Sequence, residues 1–139
     1  MYLIYIAGSY TAPTTWEVKQ NILAAEQLGA EICKLNDTAF PVIPHKNTEF
    51  FEGLRDGQYF IDGTLALMLK CDAVLIVPNS ESSQGTQGEI HTAQLAGIPV
   101  FYHLLDLRVW LAAKKRKFEG ELKESKSWLS KWFSKLERK

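Results

Sequence analysis

Long apolar runs, cysteine pairs and net charge are what this sequence has least of. No stretch approaches the roughly 18 consecutive apolar residues a membrane span needs, and the segment from Met1 to Ala7 is short and has no basic leader, so a secretory signal is not expected. A cytoplasmic protein is the resulting expectation. The only cysteines, Cys33 and Cys71, form no CxxC pair or metal-ligand spacing, and both read as reduced packing residues. His45, His91 and His103 are scattered, which suggests no metal site. Nothing in the chain calls for a metal or redox cofactor. There is no GxGxxG fingerprint and no internal repeat.

The formal charge is zero, yet it is unevenly divided. Residues 114–139 carry ten Lys/Arg against four Asp/Glu, so residues 1–113 carry six against twelve. An acidic body is followed by a basic tail. With 139 residues, 46% of them hydrophobic, the body suffices for one domain with an ordinary core. The expected division is 1–113 for an α/β domain and 114–139 for a basic amphipathic helical tail.

The periodicity alternates between strand and helix. Residues 2–7 form a β-branched and aromatic run that ends at Gly8, the pattern of a buried first strand. Thr14 and Glu17 fit a capping box, and Val18, Ile22, Leu23, Ala25 and Leu28 give the next helix an apolar face up to Gly29. Residues 40–44 hold two prolines and allow at most a short strand. A short helix is expected over 49–54, a longer one over 59–69, a strong strand over 73–77, a helix over 88–95 and a last strand over 99–103. This order predicts a parallel three-layer α/β sheet.

Beyond Ala113, the basic cluster 114–117 and Gly120 read as a hinge. Leu122, Trp128, Leu129, Trp132, Phe133 and Leu136 then recur near helical spacing with lysines between them. Such a helix suits docking on its own domain or on a second copy. It also suits a membrane surface or nucleic acid, and the tail itself does not choose between them.

The loop at 83–89, Ser-Gln-Gly-Thr-Gln-Gly-Glu, carries the most specific chemistry, because it brings Glu89 to the carboxyl edge of the sheet, where open α/β proteins keep their sites. Two readings share that position. In one, Thr86 and Glu89 form a capping box. In the other, Glu89 is kept ionised by the helix dipole and serves as a nucleophile. The loop from Gly8 through Ser9 and Tyr10 to Pro13 offers N–H groups to an anion or is a plain turn, and Pro44 to Thr48, with His45 and Asn47, lines a pocket or caps a helix.

Taken in order, the segments at 4–9, 72–77, 83–89 and 93–100 resemble the nucleoside 2-deoxyribosyltransferase superfamily, which includes the deoxynucleoside 5′-monophosphate N-glycosidases and uncharacterised bacterial and phage proteins. The Pro-His-x-Asn-Thr stretch at 44–48 is similar to the uncharacterised branch, and the resemblance covers about residues 1–105. It implies a flavodoxin-like or Rossmann-like sheet with helices on both faces, followed here by the C-terminal basic amphipathic helix. It implies Glu89 as nucleophile at C1′, Tyr5 near the sugar, and Gly8, Ser9 and Ser83 near a 5′-phosphate, with Tyr10, His45, Asn47, Gly85 and Thr86 as further substrate contacts. A homo-oligomer acting on a small nucleotide or nucleoside follows from the same likeness. The family's active-site Asp is expected eight residues before Asp72, where this chain has Thr64, so Asp62 is the provisional general acid and Asp72 is read as structural. A nucleotide-binding module without turnover is the alternative that this departure favours.

Overall fold

In the computed structural model, which describes residues 1–35 and 37–136, four short strands pair in parallel in the order β2-β1-β3-β4. They are β1 (Tyr2–Ala7), β2 (Ala39–Val42), β3 (Ala73–Ile76) and β4 (Val100–Phe101). The helices are α1 (Thr15–Leu35), α2 (Pro44–Asn47), α3 (Gly57–Met68), α4 (Gln84–Leu95) and α5 (Leu104–Leu136). Alternate residues of β1 serve opposite faces of the sheet. Ile4 and Ile6 pack with Ala25 and Ile32 of α1 and with Leu107 and Leu111 of α5. Tyr5 and Ala7 pack with Met68 of α3 and Ala93 of α4. Both faces are thereby covered, as a parallel sheet requires, and the three-layer α/β expectation holds.

From β1 the chain passes to β2 on one side, then returns across to β3 on the other. The β1-to-β2 and β2-to-β3 crossovers run in opposite directions along the sheet, so their helices occupy opposite faces under the right-handed rule. The carboxyl ends of β1 and β3 are therefore the topological switch point of this sheet, the place where open α/β folds keep their sites. β2 contains Pro41 and pairs only with β1, consistent with the missing N–H of proline being confined to an edge. Asp72 lies at the opposite end of the sheet, where its Oδ2 accepts from the Leu3 N–H at 2.7 Å.

Several boundaries differ from the sequence expectation for definite reasons. α1 runs through Gly29 because that glycine is a packing residue: a Cβ there would lie 2.5 Å from Ile43 Cδ1. No helix forms over 49–54. Phe50 and Gly53 adopt positive φ values of 61° and 89°, which break it, and the helix forms instead at Pro44–Asn47, with proline in its first turn. Cys33 is exposed, whereas Cys71 is buried and its thiol is pushed up to about 11, mainly by burial and then by the charge of Asp72.

The hinge expected at 114–120 is absent, since α5 is one helix from Leu104 to Leu136. Its first turns are anchored by Leu107 and Leu111 and by Trp110, whose ring meets Tyr2 edge-on at 5.4 Å. Farther along, Trp128, Leu129, Trp132, Phe133 and Leu136 are exposed. Among the described residues no helix is long and apolar enough to cross a membrane.

Candidate active site

Ser83 starts α4: its Oγ accepts from the Thr86 N–H at 3.2 Å and lies 2.7 Å from Thr86 Oγ1. The helix therefore begins five residues before Glu89, and the expected pairing of Thr86 with Glu89 as a capping box does not occur. The first turn of α4 holds no acid. Glu89 sits in the second turn, too deep for the dipole at the helix end to govern it, because that field fades within the first turn.

Its environment acts in the opposite direction. Burial pushes the Glu89 carboxyl up to about 7, and a hydrogen bond from Tyr5 partly opposes that rise. The Tyr5 hydroxyl donates to Glu89 Oε1 at 2.6 Å, joining the second-turn carboxylate of α4 to the middle of β1. Tyr5 itself is fully buried, and its phenol is held far above the ordinary range by burial first and by the Glu89 charge second. Thr64 of α3 lies near enough to Tyr5 to act in the lowering direction, although its own hydroxyl donates to the Ile61 carbonyl at 3.0 Å. Thr64 of α3 and Glu89 of α4 thus both stand close to the Tyr5 side chain on one face of the sheet. Such a group can present one carboxylate, poised between its two protonation states near neutrality, to a reacting carbon.

Asp62 is not brought to this group. It is exposed and accepts from Gln58 Nε2 at 2.7 Å on its own helix, and two residues of helix separate its direction from that of Thr64 by about 200°. Its sequence proximity to the expected acid position misled, because only one face of α3 meets the sheet.

The loop after β1 is held from two sides. A Cβ on Gly8 would fall 2.6 Å from Val77 Cγ2, so close packing against the end of β3 explains this glycine. The Ser9 N–H is already satisfied by Ser80 Oγ at 3.1 Å. Thr14 and Glu17 form the expected capping box, with Thr14 Oγ1 donating to Glu17 Oε2 at 2.6 Å, so the start of α1 carries its own carboxylate. Ser80, buried and absent from the sequence expectation, is the residue that fixes this turn; the Pro-Asn-Ser run after the strong strand was its only signal.

Across the same loop, His45 Nε2 lies 3.2 Å from the Gly8 carbonyl and 3.1 Å from the Ser9 carbonyl. Carbonyl oxygens only accept, so Nε2 carries the proton and Nδ1 has the lone pair. Nδ1 is buried without a partner, and burial lowers the pKa of the ring. His45 is a neutral clasp on the loop. The Tyr10 hydroxyl accepts from the Phe50 N–H at 2.9 Å and is raised in pKa by burial and then by Glu52. Asn47 and Gly85 are exposed, and Thr86 is fully buried beneath the Ser83 cap.

Cavities of about 460 and 420 Å³ lie along α5, the first lined by Lys123, Glu124, Ser127, Trp128 and Lys131, and neither borders Glu89. The perturbed carboxylate is therefore the guide to the site.

The fold recurs in solved structures. A conserved protein from Enterococcus faecalis V583 superposes with a TM-score of 0.59 at 21% identity over 72% of this chain, which spans 61% of that protein's length. A 2-deoxyribosyltransferase from the psychrotolerant bacterium Bacillus psychrosaccharolyticus superposes with a TM-score of 0.50 at 17% identity, covering 70% of this chain and 69% of that one. At these identities the likeness establishes the fold. No curated protein matches the sequence. The profile of the family described as Domain of unknown function (DUF7768) matches residues 2–103, well over half of the chain, and the protein belongs to that family.

Proposed function

We propose that the protein is an N-glycosidase or 2-deoxyribosyltransferase acting on a nucleoside 5′-monophosphate or a related nucleotide. The observation that carries this reading is the 2.6 Å hydrogen bond from Tyr5, in the middle of β1, to Glu89. In its ionised form Glu89 attacks C1′ as the base departs, giving a glycosyl ester that water or a second base resolves in a second inversion. Tyr5 aims one carboxylate oxygen and leaves the other free to react. The fold shared with the Bacillus psychrosaccharolyticus 2-deoxyribosyltransferase supports the substrate class. A 5′-phosphate fits the start of α4 better than the loop of Gly8 and Ser9, because α4 has no acid in its first turn while α1 has Glu17 there.

Incubation with a panel of deoxynucleoside monophosphates, followed by chromatography of free base, tests the proposal. Base release that vanishes in Glu89→Gln is the expected result. A second reading, a nucleotide-binding module without turnover, is favoured by Thr64 standing where an acid was expected and by the outward direction of Asp62. Nucleotide binding that survives in the complete absence of release decides for the module.

A further inference from the structure

Glycosyl transfer from a neutral base has a requirement that this site does not meet. A purine or pyrimidine leaves as an anion unless an acid within hydrogen-bond reach protonates it. Among the described residues the hydrogen-bond partner of Glu89 is the Tyr5 hydroxyl, and Thr64, whose hydroxyl donates to the Ile61 carbonyl, stands near Tyr5 where an acid was expected. The Tyr5 proton is committed to Glu89, and its phenol is held far from a useful acid range. A threonine hydroxyl does not titrate. Asp62 is turned out to Gln58, and only burial and Tyr5 perturb Glu89, with no second charged group acting on it. One carboxylate cannot be both the ionised nucleophile and the protonated acid in the same step.

Resting on the glycosyl-transfer reading above, we propose that the substrate is an N-glycoside whose base already carries a positive charge: a nucleotide of the pyridinium or N7-alkylated purine type. The chemistry then closes without an acid. The C1′–N bond breaks with its electron pair going to the ring nitrogen, which becomes neutral, while a Glu89 oxygen forms the new bond to C1′. Water attacks C1′ in the second step, the ester oxygen leaves as the Glu89 carboxylate, and the water's surplus proton passes to solvent. Hydrolysis of a cationic base therefore releases one proton per turnover, and hydrolysis of a neutral base releases none. The electrostatics agree, because a largely buried carboxylate beside Tyr5 is costly by itself and is offset by a cation bound against it.

The test uses the full chain with nicotinamide mononucleotide, N7-methylguanosine monophosphate and the monophosphates of deoxyadenosine, deoxyguanosine and deoxycytidine. Free base is followed by chromatography and protons by an indicator in weak buffer. Expected is a kcat/KM for at least one cationic substrate about 100-fold or more above every neutral one, with a proton released and with loss in Glu89→Gln. The two cationic arms show which kind of base is used. Neutral nucleotides cleaved as fast or faster overturn this proposal and leave the glycosidase reading standing. No release from any substrate overturns both. Thr64→Asp, which places an acid beside Tyr5, narrows the preference by roughly tenfold or more, whereas Thr64→Asn leaves it unchanged; an equal effect of the two overturns the argument.

Discussion

The Tyr5 hydroxyl and Glu89 Oε1 meet at 2.6 Å across 84 positions of sequence. That bond couples a strand interior to a helix turn and controls when the carboxylate is charged. Under the proposed reaction Glu89 acts in its ionised form, so the rate of base release should rise with pH through about 7. Removing the donor takes away the interaction that opposes the effect of burial. In Tyr5→Phe the rising limb of the pH–rate profile moves upward by about one unit, since a hydrogen bond to a charged group contributes about 1.5 kcal/mol or more. A profile that stays in place shows that Tyr5 does not set the charge of Glu89.

The same burial makes Glu89 a stability cost at high pH. Its pKa rises from 4.5 in the open chain to about 7 on folding, so the folded state binds the proton more tightly. This contribution is fully present below about 4.5 and is lost as pH rises through about 7. Glu89→Gln keeps an acceptor for Tyr5 and carries no charge. The variant should be more stable than the parent at pH 8, by at most about 3 kcal/mol, with the difference vanishing toward pH 4. Denaturant unfolding at the two pH values measures it, and equal stability at pH 8 rules out the buried charge.

His45 gives a slope of opposite sign. Its folded pKa lies below the ordinary 6.5, because protonation would bury a charge and add an N–H at Nδ1 with no acceptor. Stability from this residue is complete above about 6.5 and declines as pH falls through the folded value. In a Glu89→Gln background, which removes the competing slope, unfolding free energy should fall between pH 7.5 and 5. His45→Gln should abolish that fall and lose about 1–3 kcal/mol at pH 7.5 through the weakened clasp on Gly8 and Ser9. An unchanged slope in the variant assigns the titration to another group.

How much of this was legible in the sequence depended on the range of the interaction. The runs around Ile4 to Ala7 and Val74 to Ile76 are apolar throughout, and buried parallel strands read that way, so the sheet was evident. The Thr14 and Glu17 capping box was equally plain because its partners are three residues apart. In loop 83–89 the sequence offered Thr86 with Glu89 as the cap, whereas Ser83 caps the helix three residues earlier and moves Glu89 inward by a turn. No local pattern records that Thr64 faces Tyr5 while Asp62 does not, nor that His45 closes on a loop 36 residues away. These depend on which helix face the sheet accepts.

Glycines show the same limit, and two of them make a paired prediction. A Cβ at Gly8 would lie 2.6 Å from Val77 Cγ2 and 2.8 Å from Val77 Cβ, a stiff side chain at the end of a central strand. Neither β1 nor the turn held by Ser80 can move aside without breaking the Ser9 contact. A Cβ at Gly29 would meet Ile43 Cδ1 at 2.5 Å, which is the free end of a flexible side chain, and alanine there gains about 1 kcal/mol of helix propensity over glycine. Gly8→Ala should therefore destabilise the protein by about 1–3 kcal/mol, and Gly29→Ala should cost clearly less because the two effects oppose. Thermal unfolding of both variants decides it. Because the Gly8 turn directly follows the strand that carries Tyr5, Gly8→Ala should lower the rate of base release even where the protein remains folded, while Gly29→Ala leaves it near the parent value; the reverse order counts against a site at Tyr5 and Glu89.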